Sequence, residues 1–128
     1  MKRLSVTKEF EFESCHNLKN YIGQCANLHG HSYKMQVTVT GSASLLPMNN
    51  GMLLDFKNLK KIVKERVVDG WDHTYLNEVV TYQPTAENMA IDAMDKVQQG
   101  ISEEYPGLIV SRIKLWETST SFVEVTNE

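Results

Sequence analysis

Cysteine is scarce in this chain: Cys15 and Cys25 are the only two among 128 residues. A disulfide framework is excluded, and one Cys15–Cys25 bridge is the only crosslink that remains as a rival to two free thiols. Long apolar runs are missing as well, since no stretch approaches the ~20 residues that span a bilayer. The first nine residues carry no apolar signal core. The expectation is therefore a cytoplasmic protein, without a membrane partner and with reduced thiols. A basic excess is also absent. The formal net charge is −3, which argues against a general nucleic-acid partner, although a local cation cluster can still hold an anionic substrate. No repeat, low-complexity tract or long linker divides the chain, so a single domain over residues 1–128 is expected. At this length burial alone can support folding. Any metal then points to chemistry rather than to folding.

What is present is clear periodicity. Residues 4–12 alternate, with Leu4, Val6, Phe10 and Phe12 on one face, which predicts a half-buried strand. Continued in register, that face carries His16. Residues 29–39 alternate more cleanly, with His29, His31, Tyr33, Met35, Val37 and Val39 in one row. Residues 41–51 are rich in turn formers and predict a loop or hairpin connection. Asp55 can cap a helix running to about residue 68, with Phe56, Leu59, Ile62, Val63 and Val67 as its apolar stripe and Gly70 as its stop. Thr85 can cap a second helix with an inner face of Ala86, Met89, Ala90, Ala93 and Val97, ending near Gly100. Strands at 108–117 and 121–126 complete the chain. In the first of these, Ile109, Ser111, Ile113, Leu115 and Glu117 share a side. Strands segregated from helices predict an α+β domain with an antiparallel sheet.

Three of the four histidines fall within sixteen residues. A His-x-His pair on a strand puts both rings on one face, about 6–7 Å apart along the chain. Rings so placed can converge on one ion. His16, with matching facing on another strand, could supply a third ligand and leave one tetrahedral position open, the pattern of a catalytic zinc ion; the plainer alternative is that each histidine is a hydrogen-bonded core or rim residue. Imidazole also suits copper, iron or nickel.

Three further groups stay open on the residues alone. Cys25 precedes His29 by four residues. It could be a fourth ligand in a closed structural site, a reactive thiolate beside the ion, or a small buried hydrophobe. His73 follows Asp72 in a polar connector, where a carboxylate can orient an imidazole for proton transfer; a surface histidine beside a capping aspartate is the plainer reading. Glu117 ends the inner face of a strand. Burial there requires an internal cation or a ligand that offers two adjacent N–H donors.

The segments Phe12–His16, Cys25–His31, Leu54–Phe56, Asp72–Asn77, Pro84–Asn88 and Trp116–Thr118 occur in an order that resembles the 6-pyruvoyltetrahydropterin synthase family. The resemblance runs from about residue 4 to residue 125. Three residues separate Cys25 from His29, as in the carboxy-forming bacterial branch of the queuosine pathway. Ser14-Cys15 departs from the small alanines that are commoner before the first histidine.

The resemblance implies a T-fold, with a four-stranded antiparallel sheet and two helices on one face. It implies zinc on His16, His29 and His31, a catalytic Cys25, and a proton-transfer pair Asp72–His73. Glu117 would hold the guanidine-like edge of a pterin, with Thr85 and Glu87 bordering its pocket. The implied substrate is 7,8-dihydroneopterin triphosphate. The implied products are 6-carboxy-5,6,7,8-tetrahydropterin, acetaldehyde and triphosphate. The implied assembly is a homohexamer with interfacial active sites. Rival readings are the pyruvoyl-forming synthase, a cupin-type metal oxygenase, and a zinc-stabilised binding module that uses Cys25 as fourth ligand.

Overall fold

The computed structural model describes residues 1–23 and 26–127. The alternation expected over residues 4–12 and 29–39 is realised as two long paired strands, β1 (Arg3–His16) and β2 (His29–Ser42). They run antiparallel in unbroken register from Arg3↔Ser42 to His16↔His29. Paired residues share a face of the sheet, so the alternation of both sequences places Phe10 and Phe12 with Tyr33, Met35, Val37 and Val39 in one buried layer. The rings of Phe12 and Tyr33 stack with centroids 4.9 Å apart.

The connection after β2 forms a 3-10 turn over Ala43–Asn49 rather than an open loop. Helix α1 (Phe56–Val63) begins at Asp55, whose side chain accepts a hydrogen bond from the Lys57 N–H. Leu59, Ile62 and Val63 face the core, while Phe56 stays exposed. The helical path continues beyond Val63 through a wide π turn, Lys64–Val68, and one more turn, Asp69–Trp71. Gly70 therefore does not stop it: burial of Val67, Val68 and Trp71 against the sheet favours another turn.

A two-residue strand follows, β3 (Thr74–Tyr75), pairing in parallel with Ser14 and Cys15 of β1. After a short turn at Leu76–Val79 comes helix α2 (Ala86–Glu104), capped by Thr85, whose hydroxyl accepts from Asn88 N–H. The helix passes Gly100 by a full turn. A Cβ at Gly100 would lie 2.6 Å from Ile62 Cγ2. Glycine is there for the close approach of α1, not as a terminator.

Strands β4 (Ile109–Thr118) and β5 (Ser121–Thr126) complete a sheet of order β3-β1-β2-β4-β5. The sheet thus has five strands, one more than expected. The extra strand is too short for any alternation to announce it. The register of β4 is also interrupted twice, at Thr38/Val39 of its partner β2 and between Trp116 and Thr118. The first interruption makes Ser111 an unpaired extra residue. Val110 is therefore buried, and Ile109, expected on the inner face, is 43% exposed. The second makes Glu117 the extra residue. Both helices supply the buried side chains that cover the inner face of the sheet. No helix among the described residues is long and apolar enough to cross a membrane.

Candidate metal centre and adjoining hollow

His16 and His29 are direct cross-strand partners, and His31 lies two residues along β2 on the same face. The strand ladder brings the three rings together. His16 Nε2 stands 3.0 Å from His29 Nε2 and 3.1 Å from His31 Nε2. Ligand atoms of all three lie within 4.8 Å of one another. Two ligands tetrahedrally bound at 2.0–2.1 Å would lie about 3.3 Å apart, so the spacing suits zinc.

The other ring nitrogens decide the chemistry of those facing each other. His16 Nδ1 lies 2.7 Å from the carbonyl of Pro84, and His29 Nδ1 lies 2.7 Å from that of Asn27. A carbonyl can only accept, so each Nδ1 carries the proton and each Nε2 presents a lone pair. Two lone pairs at 3.0 Å repel unless an electrophile lies between them. Burial, reinforced by His16 and His29, holds the His31 pKa below its ordinary value, with Glu117 opposing. A neutral imidazole is the form that binds a metal. The donor set therefore fits a cation with one position left for another ligand.

Glu117 approaches this cluster from β4, with Oε1 3.6 Å from His31 Nε2. It also lines a hollow of about 160 Å³ with Ala86, Glu87, Ser121, Phe122 and Val123. The start of α2 is thus doubly engaged with the site. The Pro84 carbonyl holds His16, and Ala86 and Glu87 wall the hollow beside Glu117. Thr85 uses an oxygen lone pair for its cap and retains a hydroxyl hydrogen to donate. Below the triad lies Tyr33, 1% exposed, whose hydroxyl is 3.5 Å from His16 Nδ1. Burial, with Glu117 and Cys15 adding to it, raises its pKa and keeps it un-ionised.

Asp72 and His73 do touch: Asp72 Oδ1 lies 3.0 Å from His73 Nδ1. Adjacent side chains usually diverge, but His73 has φ of 57°, which folds the pair back. That backbone is clamped to β1. Glu13 N–H donates to Asp72 Oδ1 at 2.9 Å, and His73 N–H donates to the Glu13 carbonyl at 2.5 Å. The Glu13 N–H bond, and then the bond from His73, hold the Asp72 carboxyl below the usual range. The exposed His73 ring borders a separate open concavity of about 570 Å³ with Glu13, Cys15, His31 and Tyr75.

Cys25 lies outside the described residues. Cys15 packs on the other side of β1 from His16, its thiol 3.6 Å from the Thr74 carbonyl. Two contributors escaped the sequence reading. Pro84 and Asn27 enter through their carbonyls, which no side-chain pattern can signal.

The 6-pyruvoyl tetrahydropterin synthase family model matches residues 5–128. A 6-carboxy-5,6,7,8-tetrahydropterin synthase of Haemophilus influenzae is 33% identical, covering 93% of this chain and 96% of its own. A protein of the same description from Synechocystis sp. is 34% identical over 91% and 88%. In structure, the Caenorhabditis elegans 6-pyruvoyl tetrahydropterin synthase superimposes with a TM-score of 0.83 at 24% identity, covering 100% and 98%, which establishes the T-fold. With the histidine triad and its neighbouring glutamate already in place, the chain belongs to the 6-pyruvoyl tetrahydropterin synthase family of enzymes.

Proposed function

We propose that this enzyme is a zinc-dependent lyase of queuosine biosynthesis. With one water as co-reactant, it converts 7,8-dihydroneopterin triphosphate to 6-carboxy-5,6,7,8-tetrahydropterin, acetaldehyde and triphosphate. One observation carries the reading: the Glu117 carboxylate stands 3.6 Å from His31 Nε2, beside three converging imidazoles. Such a pair can hold a flat ring with adjacent N–H donors while its side chain reaches the metal.

His16, His29 and His31 hold the zinc ion. When bound, it supplies Lewis-acid polarisation of side-chain oxygens and makes neighbouring protons easier to remove. Glu117 accepts two N–H bonds from the pterin edge, and Thr85 and Glu87 wall the ring. His73, oriented by Asp72, moves one proton, and the Cys25 thiolate moves another. The carboxy-forming reading draws on the two relatives described above and on the Cys25–His29 spacing.

Assembly as a homohexamer with interfacial active sites belongs to the same reading. Among the described residues, β5 has an unpaired outer edge, and the outer edge of β1 is open before Glu13, being covered from Glu13 to Cys15 by the Asp72–Tyr75 segment. Open edges of this length favour pairing with further copies. A cytoplasmic location is part of the reading too.

The test is to incubate the zinc-loaded protein with 7,8-dihydroneopterin triphosphate and identify the products by mass spectrometry. The 6-carboxy product with acetaldehyde supports the reading. A 6-pyruvoyl product would place the chain with the pyruvoyl-forming synthases, and no turnover would reject both.

A further inference from the structure

The stretch that leaves the metal ligand His16 is held in an unusual way. In a strand, alternate residues turn their N–H and C=O to the same edge. On β1 that edge is occupied at Glu13 by Asp72 and His73, and at Ser14 and Cys15 by β3. The edge continues to be satisfied after the strand ends, but by side chains. Asn77 forks onto Asn17: its Oδ1 accepts from Asn17 N–H at 3.0 Å and its Nδ2 donates to the Asn17 carbonyl at 2.9 Å. Gln83 repeats the arrangement on Lys19, with both bonds at 2.9 Å. A carboxamide has the donor and acceptor spacing of a peptide group, so each side chain stands in for a residue of a neighbouring strand.

Gln83 has a second connection. The next residue is Pro84, whose carbonyl fixes the His16 ring at 2.7 Å. The Gln83 carbonyl accepts from Asn88 Nδ2 at 3.0 Å and Thr85 N–H at 2.8 Å, which ties it to the start of α2. Gln83 thus joins the main chain beyond His16 to the carbonyl that orients His16.

We propose that Gln83, with Asn77 beside it, is a positioning residue of the metal centre: the two carboxamide forks prolong the β1 ladder past His16 and set the Pro84 carbonyl against its ring. This inference rests on the reading of the triad as a zinc site. Groups that orient metal-binding histidines typically contribute 10–100-fold in affinity.

The test is zinc affinity of the full-length protein, by competition with a chromophoric chelator. It is measured for wild type, Gln83→Ala, Gln83→Glu and Asn77→Ala, alongside the thermal midpoint of each metal-free protein. Gln83→Glu keeps the acceptor for Lys19 N–H but opposes the Lys19 carbonyl with a second oxygen. It decides the question if the alanine variant fails to fold. The expected result is a Kd raised about tenfold or more in Gln83→Ala, with Gln83→Glu and Asn77→Ala raised in the same direction. A lowered metal-free midpoint with wild-type zinc affinity would mean a purely structural role and would overturn the inference alone. A wild-type protein that binds no zinc would overturn the metal reading, and this inference with it.

Discussion

Glu117 Oε1 lies 3.6 Å from His31 Nε2, although the two residues belong to different strands that no longer pair at that point. The ladder between β2 and β4 runs out at Lys34↔Trp116. Glu117 is then the unpaired residue of a bulge against β5, between Trp116↔Phe122 and Thr118↔Ser121. Bulges re-aim a side chain at a sheet edge. Here the bulge lies at the rim of a hollow, where the carboxylate meets both the histidine cluster and open space.

Glu117→Gln keeps the shape and one acceptor oxygen but removes the charge that two N–H donors require. Loss of a charged hydrogen-bonding partner costs about 2 kcal/mol, or roughly thirtyfold in Kd. Calorimetric titration with a non-reactive dihydropterin checks this. Unchanged affinity would reject Glu117 as the ring anchor.

His29→Ala separates metal binding from folding. The ring's Nε2 faces two other nitrogens, and its Nδ1 bond to Asn27 is exposed. Its removal should cost the metal-free protein no more than about 1 kcal/mol. Zinc affinity should fall by more than the roughly 100-fold seen for outer-shell changes. Added zinc should therefore raise the melting temperature of wild type and not of the variant. Equal zinc-dependent shifts would contradict the assigned ligand set.

Much of this arrangement was legible because its periods are simple. Alternation on both sides of the Cys25 segment put His16, His29 and His31 on one face, and a strand pair then brings them together. Asp55 and Thr85 acted as the caps their chemistry suggests. What escaped was set by contacts distant in sequence. The bulge at Ser111 exchanged Val110 for Ile109 in the core. Close packing against Ile62 demanded Gly100, which local rules read as a helix end. Strand β3 depends on Ser14, whose hydroxyl donates to the Thr74 carbonyl at 2.7 Å. Contact between Asp72 and His73 needed a positive φ that a neighbour-by-neighbour reading does not supply.

Asp72 imposes a pH dependence with a definite sign. The Glu13 N–H bond, followed by that from His73, lowers its folded-state pKa. A carboxyl lowered in this way stabilises the fold fully above its unfolded value, about pH 4. The contribution fades as pH falls through the lower folded value. Urea unfolding of wild type and Asp72→Asn should therefore show a constant stability gap down to about pH 4, and a closing gap below it. A gap that persisted unchanged well below pH 3 would show that the carboxylate is not its source.

Cys25→Ala distinguishes a reactive thiol from a fourth ligand. As a proton carrier, Cys25 contributes about 10²–10⁴ in turnover and nothing to metal retention. The variant should keep stoichiometric zinc after dialysis, measured by atomic absorption, and lose activity by that factor. Loss of the metal would point to a closed structural site instead.

Gly100→Ala tests the packing of the two helices. Alanine is favoured over glycine inside a helix by about 1 kcal/mol. The new Cβ would meet Ile62 Cγ2 at 2.6 Å and Arg66 Nε at 3.3 Å. Ile62 is buried at 4% exposure on a branched side chain, with little room to move. Overpacking of this kind costs about 1–3 kcal/mol. The penalty exceeds the helical gain, and a net loss of about 1 kcal/mol is expected in urea unfolding of the metal-free protein. The triad is built on β1 and β2, away from this crossing, so zinc affinity should stay at the wild-type value. A variant more stable than wild type would mean that α1 and α2 can separate freely, and that glycine at this position serves neither packing nor termination.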